Sequence, residues 1–511
     1  MRIAAGSSVS SAAGEPALRT QRWVIAALIA AVGAFDLGTI RDGHDWGGDF
    51  AQYIQHARNL AAHRPYADTG YVYNLATAGT GPRAYPPLFP LMLVPVVGAT
   101  APVASLDLKP MKVEEVLSLL VALVLIERVL RSVAPFRLRV VTLALFGFNP
   151  WLWDFKDQVL SDLPFLVAVY ATLWCALALE TDPPEARVRW LHAAGVGFFA
   201  FVATATRTAG ITLLPALALR DLVRERRVRA TLVIAAAVYA VGFVAQSRWQ
   251  PPEASYLDQL RQDPRIVVRN IGIYARALAV FWNNGHWIAP RIALAAIVTG
   301  FAACEWTRRV RAGATILEAL IVPYVGVVLI WPSEQGTRFL LPLLPLYLVW
   351  ALLAIERCAP GTVALEGQDA DGAGRSPAGW RLAPGVIALL VAAVLTYALR
   401  YATFDFHTVP NGVTSAPARE LFEFVRAHTD PTDVIAFRKA RIVTLYTGRP
   451  GVVPQSAPDA ELAAYLHSVN VRWAIDGIDE EGRLGGIAER HPEWFEPVFS
   501  NAMFRVYRFT G

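Results

Sequence analysis

The chain is poor in charge and almost devoid of cysteine. Charged residues make up 17% of its 511 positions, against about a quarter in a typical soluble domain. That deficit excludes an ordinary water-soluble globule. The three cysteines, Cys175, Cys304 and Cys358, form no CxxC, which excludes a disulfide framework and a zinc site. No RNA- or DNA-binding signature accompanies the basic residues, so nucleic acid is not an expected partner. No internal repeat is visible.

What the chain does have is long apolar runs. It is 55% hydrophobic, with 15 Trp, 24 Phe and 16 Tyr, and aromatic rings of this kind collect at lipid headgroup level. A bilayer core of about 30 Å needs roughly 20 apolar residues in a helix. Eleven spans are expected: Trp23–Ile40, Val113–Leu130, Val140–Trp153, Leu163–Leu179, Leu191–Thr206, Ala209–Leu222, Ala230–Gln246, Ile288–Trp306, Ile316–Trp331, Phe339–Ile355 and Pro384–Tyr401. The first is read as an uncleaved helix rather than a signal peptide. The short pair flanking Arg207 is expected to be a broken hairpin. Tyr85–Ala101 is apolar but rich in proline, and is expected to be an interfacial or re-entrant helix.

The charges orient these spans. Arginines fill every second gap: Arg19/Arg22, Arg128–Arg139, Arg187/Arg189, Arg220–Arg229, Arg308–Arg311 and Arg357. The positive-inside rule puts that face, and the N-terminus, in the cytoplasm. The formal net charge of +5 needs no other explanation. The opposite gaps carry Asp49, Asp162 and Glu334. Cys358–Arg381 reads as a flexible cytoplasmic linker. Residues 1–402 therefore form an all-α polytopic membrane domain. Residues 403–511 read as a small extracytoplasmic α/β domain: helix Ala416–His428, strand Val434–Phe437, helices Ala440–Tyr446 and Asp459–Ser468, strand Val471–Ile475, then a hairpin from Phe495 to Phe509. No glycine loop or catalytic dyad stands out in it.

The first outside loop is the densest. After Asp49, Phe50, Tyr53, Ile54 and Ala57 recur at helical spacing, with Gln52, Gln55, His56, Arg58 and Asn59 on the other face, predicting an amphipathic helix in the headgroup plane. Asp49 has two compatible readings: an N-cap with Gln52 as reciprocal partner, or a carboxylate held at the membrane surface. Asp162 follows Ser161, a candidate cap, and precedes Pro164; it either favours the helix dipole or takes part in the chemistry. Lys156 can neutralise Asp154 or Asp157. Glu334 and Arg338 are four apart and can pair with each other. Arg207 lies between two apolar runs, where an arginine needs an anionic partner: an acid of the chain or a ligand. Arginine's planar fork suits phosphate, and carboxylates suit proton removal or metal binding. A phosphate-bearing substrate at a membrane surface is most naturally lipid-linked.

These pieces resemble the GT-C superfamily of membrane glycosyltransferases, which includes protein O-mannosyltransferases and the lipid A aminoarabinose transferase. The matching stretches are GGDFAQYIQHARNL, YPPLFPLMLVP, NPWLWDFKDQVLSDLPFL, RTAGITLLPAL and RFLLPLLPLY, over roughly residues 20 to 400. The resemblance implies a polyprenyl-phosphate sugar donor, a lipid, glycan or protein acceptor, and an inverting transfer. It makes Asp49 catalytic, with Asp162 assisting it or helping to hold a divalent cation; no other cofactor is called for. Arg207, Arg338, Arg58 and Arg83 become candidates for the donor phosphate, and Glu334 and Tyr53 further site candidates. Some relatives carry a doubled acid in the first loop; here Gly48 and Phe50 flank Asp49. Some carry a lysine before the paired prolines; here Tyr85 stands there, with Arg83 as the candidate substitute. The expected location is a bacterial inner membrane, with the active face in the periplasm. A flippase for lipid-linked sugars and an oligosaccharide polymerase or ligase are the alternatives; a scaffold anchored by its spans is a more remote one.

Overall fold

The apolar runs become helices because lipid leaves the backbone no hydrogen-bonding partner but itself. The computed structural model describes residues 14–73, 81–98, 106–180, 185–249, 265–359, 381–455, 457–477 and 483–511. Helix α1 (Gly14–Gly38) leads into the first loop, with helix α2 (Gly48–Ala61) and strand β1 (Tyr71–Val72), and then α3 (Leu88–Val97). There follow α4 (Lys109–Leu130), α5 (Phe136–Gly147), α6 (Pro150–Phe155), α7 (Asp162–Glu180), α8 (Ala186–Thr206) and α9 (Leu213–Glu225). The helical body closes with α10 (Ala230–Trp249), α11 (Arg265–Phe281), α12 (Ile288–Gly313), α13 (Ile316–Ile330), α14 (Leu344–Arg357) and α15 (Pro384–Tyr401).

Seven helices among the described residues are long and apolar enough to cross a membrane. The other expected spans are α4, which has the length but carries Lys112, Glu114, Glu115, Glu127 and Arg128, and α5, α9 and α13, of 12, 13 and 15 residues. The run expected at Val140–Trp153 breaks at Phe148–Asn149, because Asn149 caps a new helix with Pro150 at its first position. The chain does break at Arg207, which is extended (φ −147°, ψ 137°) between α8 and a 3₁₀ turn at Thr208–Thr212. The Tyr85–Ala101 stretch contains α3, a 10-residue helix; 99–101 lie outside the described residues, as does nearly all of the expected linker. The amphipathic α11 falls in a gap where no helix was expected.

Helix α7 is a ruler across the body. Its 19 residues span about 28 Å at ~1.5 Å per residue. Its last residue, Glu180, pairs with Arg220 (3.2 Å) and Arg224 (3.4 Å) of α9 and accepts from the backbone N–H of Ile316. Further ion pairs, Arg309–Glu318, Arg357–Glu305, Arg137–Glu356 and Arg139–Glu127, stitch the ends of α12, α13, α14, α5 and α4 together. The arginine-bearing gaps between these helices thus meet at one end of the body. Asp162, the first residue of α7, lies at the other.

The tail forms α16 (Ala416–His428), β2 (Val434–Ala436), α17 (Ala440–Thr447), β3 (Gly451–Val452), α18 (Asp459–Ser468), β4 (Val471–Gly477), α19 (Arg483–Arg490), β5 (Phe495–Ser500) and β6 (Phe504–Phe509). Its six-stranded sheet has the order β1-β3-β2-β4-β6-β5. The edge strand β1 comes from the first loop, pairing in parallel with β3 (Tyr71↔Gly451, Val72↔Val452). Trp46 reinforces the junction: its indole donates to the Asn411 carbonyl (2.8 Å) and packs on Phe422, Phe437 and Phe504.

Candidate active site

Buried charge clamps the first loop to the segment between α6 and α7. Lys112, without solvent exposure, donates to the carbonyls of Arg41 (2.6 Å) and Gly43 (2.7 Å). Arg41 pairs with Asp157 (2.7 Å) and Asp154 (2.6 Å), while Lys156 pairs with Asp157 (2.9 Å). Removing one member of such a network strands a buried charge, at a cost of about 3–5 kcal/mol. The clamp fixes the starts of α2 and α7 relative to each other.

Asp49 is not the cap of α2. Gly47 holds that position without a side-chain bond, so Asp49 falls in the first turn, where the helix dipole favours its charge. Gln52 turns away to donate to the Arg83 carbonyl (2.6 Å). The polar face of α2 is also covered: Gln52, His56 and Asn59 are all buried, against Tyr66–Thr69, Arg83–Tyr85 and α17. His56 Nδ1 donates to the Tyr66 carbonyl (2.8 Å), and its Nε2 accepts from the Tyr85 N–H (3.2 Å). Tyr85 is thereby held over Asp49.

Two carboxylates and three guanidinium groups converge here. Arg338, in a 3₁₀ segment (Gly336–Leu343), is the bridge. Its Nη1 donates to Asp49 Oδ2 (2.9 Å); its Nε and Nη2 reach Asp162 Oδ1 (3.4 Å) and Oδ2 (3.0 Å). Arg207 pairs with Asp162 and lies over the Phe339 ring (5.0 Å). The third guanidinium is Arg441, from α17 of the tail. It donates to Tyr85 Oη (2.6 Å), lies 3.4 Å from Asp49 Oδ1, and stacks over Tyr71 and Tyr85. Tyr85 in turn donates to Asp49 Oδ1 (2.7 Å). Burial pushes the Asp49 carboxyl up, but the charges of Arg338 and Arg441 and the Tyr85 hydrogen bond outweigh it and hold it at about 2. Tyr53, whose hydroxyl bonds Ser161 Oγ (2.8 Å), is pushed up to about 12 by burial.

A cleft of about 70 Å³ opens beside this cluster, lined by Asp49, Tyr53, Tyr85, Arg207 and Arg338 among others. At Thr206 it meets an apolar groove of about 330 Å³ between α3, α4, α7 and α8, lined by Met92, Leu117, Val121, Pro164 and Phe199. Five sequence candidates, Asp49, Asp162, Arg207, Arg338 and Tyr53, are brought together. Arg58 lines a different cleft, between α2 and the tail, and the Arg83 side chain is exposed. Glu334 does not pair with Arg338, which the two aspartates occupy; it is exposed and faces another cleft. Arg441 and Tyr85 complete the cluster without having been candidates for it. The tail's helix ARIVTLYT carries no motif that marks Arg441.

No protein-family model matches the sequence, and no curated protein matches it either. Solved structures do. ArnT from Cupriavidus metallidurans in the apo state aligns over 98% of this chain and 98% of its own, at 13% identity and a TM-score of 0.55. The same protein bound to undecaprenyl phosphate aligns over 97% and 98%, at 14% identity and 0.52. The oligosaccharyltransferase AglB from Archaeoglobus fulgidus, in complex with an inhibitory peptide and a dolichol-phosphate, aligns over 96% of this chain and 74% of its own, at 12% identity and 0.54. The fold is that of the GT-C membrane glycosyltransferases.

Proposed function

From that shared fold, we propose that the chain transfers a sugar from a polyprenyl-phosphate donor to a hydroxyl-bearing acceptor on the periplasmic face of an inner membrane. One observation carries the reading: three guanidinium groups face two carboxylates, leaving one positive charge beside an apolar groove. A polyprenyl-phosphate sugar is a phosphodiester with one negative charge and an apolar tail. It neutralises the cluster through Arg207 and Arg338 and lays its chain in the groove. Two solved structures of this fold are described with undecaprenyl phosphate and dolichol-phosphate. The cluster lies at one end of the ruler helix, whereas a transporter binds its cargo near mid-bilayer. The positive charge that the resemblance places before the paired prolines is supplied by Arg441, through Tyr85.

In the transfer, the acceptor oxygen bonds to the anomeric carbon from the face opposite the phosphate, so the configuration inverts. Its proton passes to Asp49. The bond between the anomeric carbon and the phosphate oxygen breaks, with its electrons leaving on the polyprenyl phosphate. Arg338 and Arg207 meet that growing charge. At a resting value near 2, Asp49 is a weak base. Donor phosphate competes for Arg338, and the loss of that partner raises Asp49's basicity when it is needed. The guanidinium of Arg338 sits between the two carboxylates, the residues that would hold a divalent cation. Among the described residues no set of three His, Cys, Asp or Glu side chains gathers.

The test is incubation of the purified chain in vesicles with radiolabelled polyprenyl-phosphate sugars. Transfer to an acceptor supports the reading; transbilayer movement alone, or neither event, refutes it. Asp49→Asn is expected to abolish transfer while leaving expression and thermal stability near wild type; full activity in that variant rejects its role. Arg207→Ala is expected to weaken donor binding more than acceptor binding, and an unchanged donor affinity counts against it.

A further inference from the structure

A second cleft, of about 330 Å³, lies on the other side of Arg338. Arg338 and Gln335 line both this cleft and the one beside Asp49. A group transfer needs two substrates to meet across the reacting centre, and two clefts sharing one wall provide that. If the phosphate of the donor lies on the Asp49 side, the second cleft is left for the body of the acceptor, with its reacting hydroxyl extending past Arg338 to Asp49.

Its lining points to the chemistry of that acceptor. Trp151 and Phe155 stand one turn apart on α6, with ring centroids 5.0 Å apart and planes at 14°. The start of α6 is pinned: Asn149 Oδ1 accepts from the Trp151 N–H (2.9 Å), and Asn149 Nδ2 donates to the Phe281 carbonyl (3.1 Å) and Tyr397 (2.8 Å). Phe155 is buried, while Trp151 keeps part of its surface open. Around the rings stand Gln158, Gln335, Arg276 and Glu334, planar groups that together donate and accept. Among the described residues Glu334 makes no hydrogen bond or ion pair, whereas both site aspartates are held by arginines. An indole serving only as an interfacial anchor needs lipid beside it; it does not need four planar polar groups around one cleft. A flat apolar ring ringed by amide and carboxylate matches a sugar, which presents a C–H face and a rim of hydroxyls. Arg276 and Glu334 balance in charge, and Arg338 is held by the two aspartates, so the ligand that fits is neutral.

We propose that this cleft binds the acceptor, and that the acceptor is a neutral carbohydrate, its ring on Trp151 and a hydroxyl donating to Glu334. As an acceptor site, the cleft rests on the glycosyltransferase reading above; as a saccharide site, it is tested without it. The full chain in lipid nanodiscs is probed by saturation-transfer NMR with a panel of methyl glycosides and a serine/threonine peptide. Saturation of the ring protons of at least one glycoside is expected, lost in Trp151→Ala and in Glu334→Gln, and kept in Trp287→Ala, which removes an exposed indole elsewhere. No glycoside signal in the wild type, a signal from the peptide alone, or retention of the signal in both cleft variants overturns the proposal. Because binding is read without donor, failure of transfer in vesicles refutes the enzymatic reading and leaves this result standing on its own. Where transfer occurs, Trp151→Ala is expected to raise the acceptor KM at least ten-fold with the donor KM unchanged; the reverse pattern assigns the cleft to the donor and overturns the proposal.

Discussion

Acidifying the medium from pH 7 to pH 5 should loosen the first loop, through His56. The imidazole is fully buried and uses both nitrogens, one as a donor to Tyr66 and the other as an acceptor from Tyr85. A second proton would set Nε2–H against the Tyr85 N–H. Burial lowers the affinity for that proton, the Tyr66 carbonyl partly offsets it, and the Arg441 charge lowers it further, leaving His56 at about 3 against an ordinary 6.5. The released loop takes up a proton below pH 6.5, whereas the docked loop does not until about 3. Docking is therefore at full strength above 6.5 and weakens as pH falls toward 3. Between pH 7 and pH 5 the loss is about 2 kcal/mol, roughly thirty-fold in the opening equilibrium. Hydrogen–deuterium exchange of the chain in nanodiscs, corrected for the intrinsic pH dependence of exchange, reads this directly in α2 and at Tyr85. His56→Gln should flatten the slope. Equal protection of α2 at the two pH values, or an undiminished slope in the variant, would refute the reasoning.

Substitutions at two further positions test the tail's share in the site. Arg441→Ala removes one of the two charges that hold Asp49 down; a charge-assisted bond of about 1.5–3 kcal/mol is lost, so transfer should fall roughly ten- to a hundred-fold. The acid limb of its pH–rate profile should move upward, with partial recovery in Arg441→Lys; an unshifted limb would separate Arg441 from Asp49. Gly81 has φ +71°, and a Cβ there would lie 2.8 Å from Arg441 Nη2 and 2.9 Å from Tyr85 Oη. Gly81→Ala, strained by about 1 kcal/mol in the left-handed region, should depress transfer with helical content unchanged by circular dichroism; wild-type rates would show that this close approach is dispensable.

Much of the fold was readable because lipid enforces simple rules. The arginine gaps and the acids do sit at opposite ends, and α16 and α18 begin and end at the expected residues. The convergence of Asp49, Asp162, Arg207 and Arg338 followed from topology alone, since all four lie in gaps on one side of the spans. Contacts set by the tertiary fold were not readable. Asp49 and Arg441 are 392 positions apart, and one arginine in a short amphipathic helix looks like any solvated charge. Arg58 shares a helix with Asp49, but nine residues along α2 carry it about 14 Å away. The capping reading of Asp49 failed because the paired glycines before it let the helix begin earlier. Glu334 and Arg338 had the spacing of an intrahelical pair, yet Glu334 lies before the 3₁₀ segment, which begins at Gly336, and the arginine points to stronger partners.

Strand β1 has to wait for its neighbour. Tyr71 pairs beside Gly451, so about 380 residues must be synthesised between them, some 20 to 75 seconds at ~5–20 residues per second. Until then the segment leading to Tyr85 lacks its edge partner and Asp49 lacks a guanidinium. A ribosome that stalls before α17 releases a chain with its spans in place and Asp49 held by Arg338 alone. Completion of the tail is thus the last event in assembling the centre.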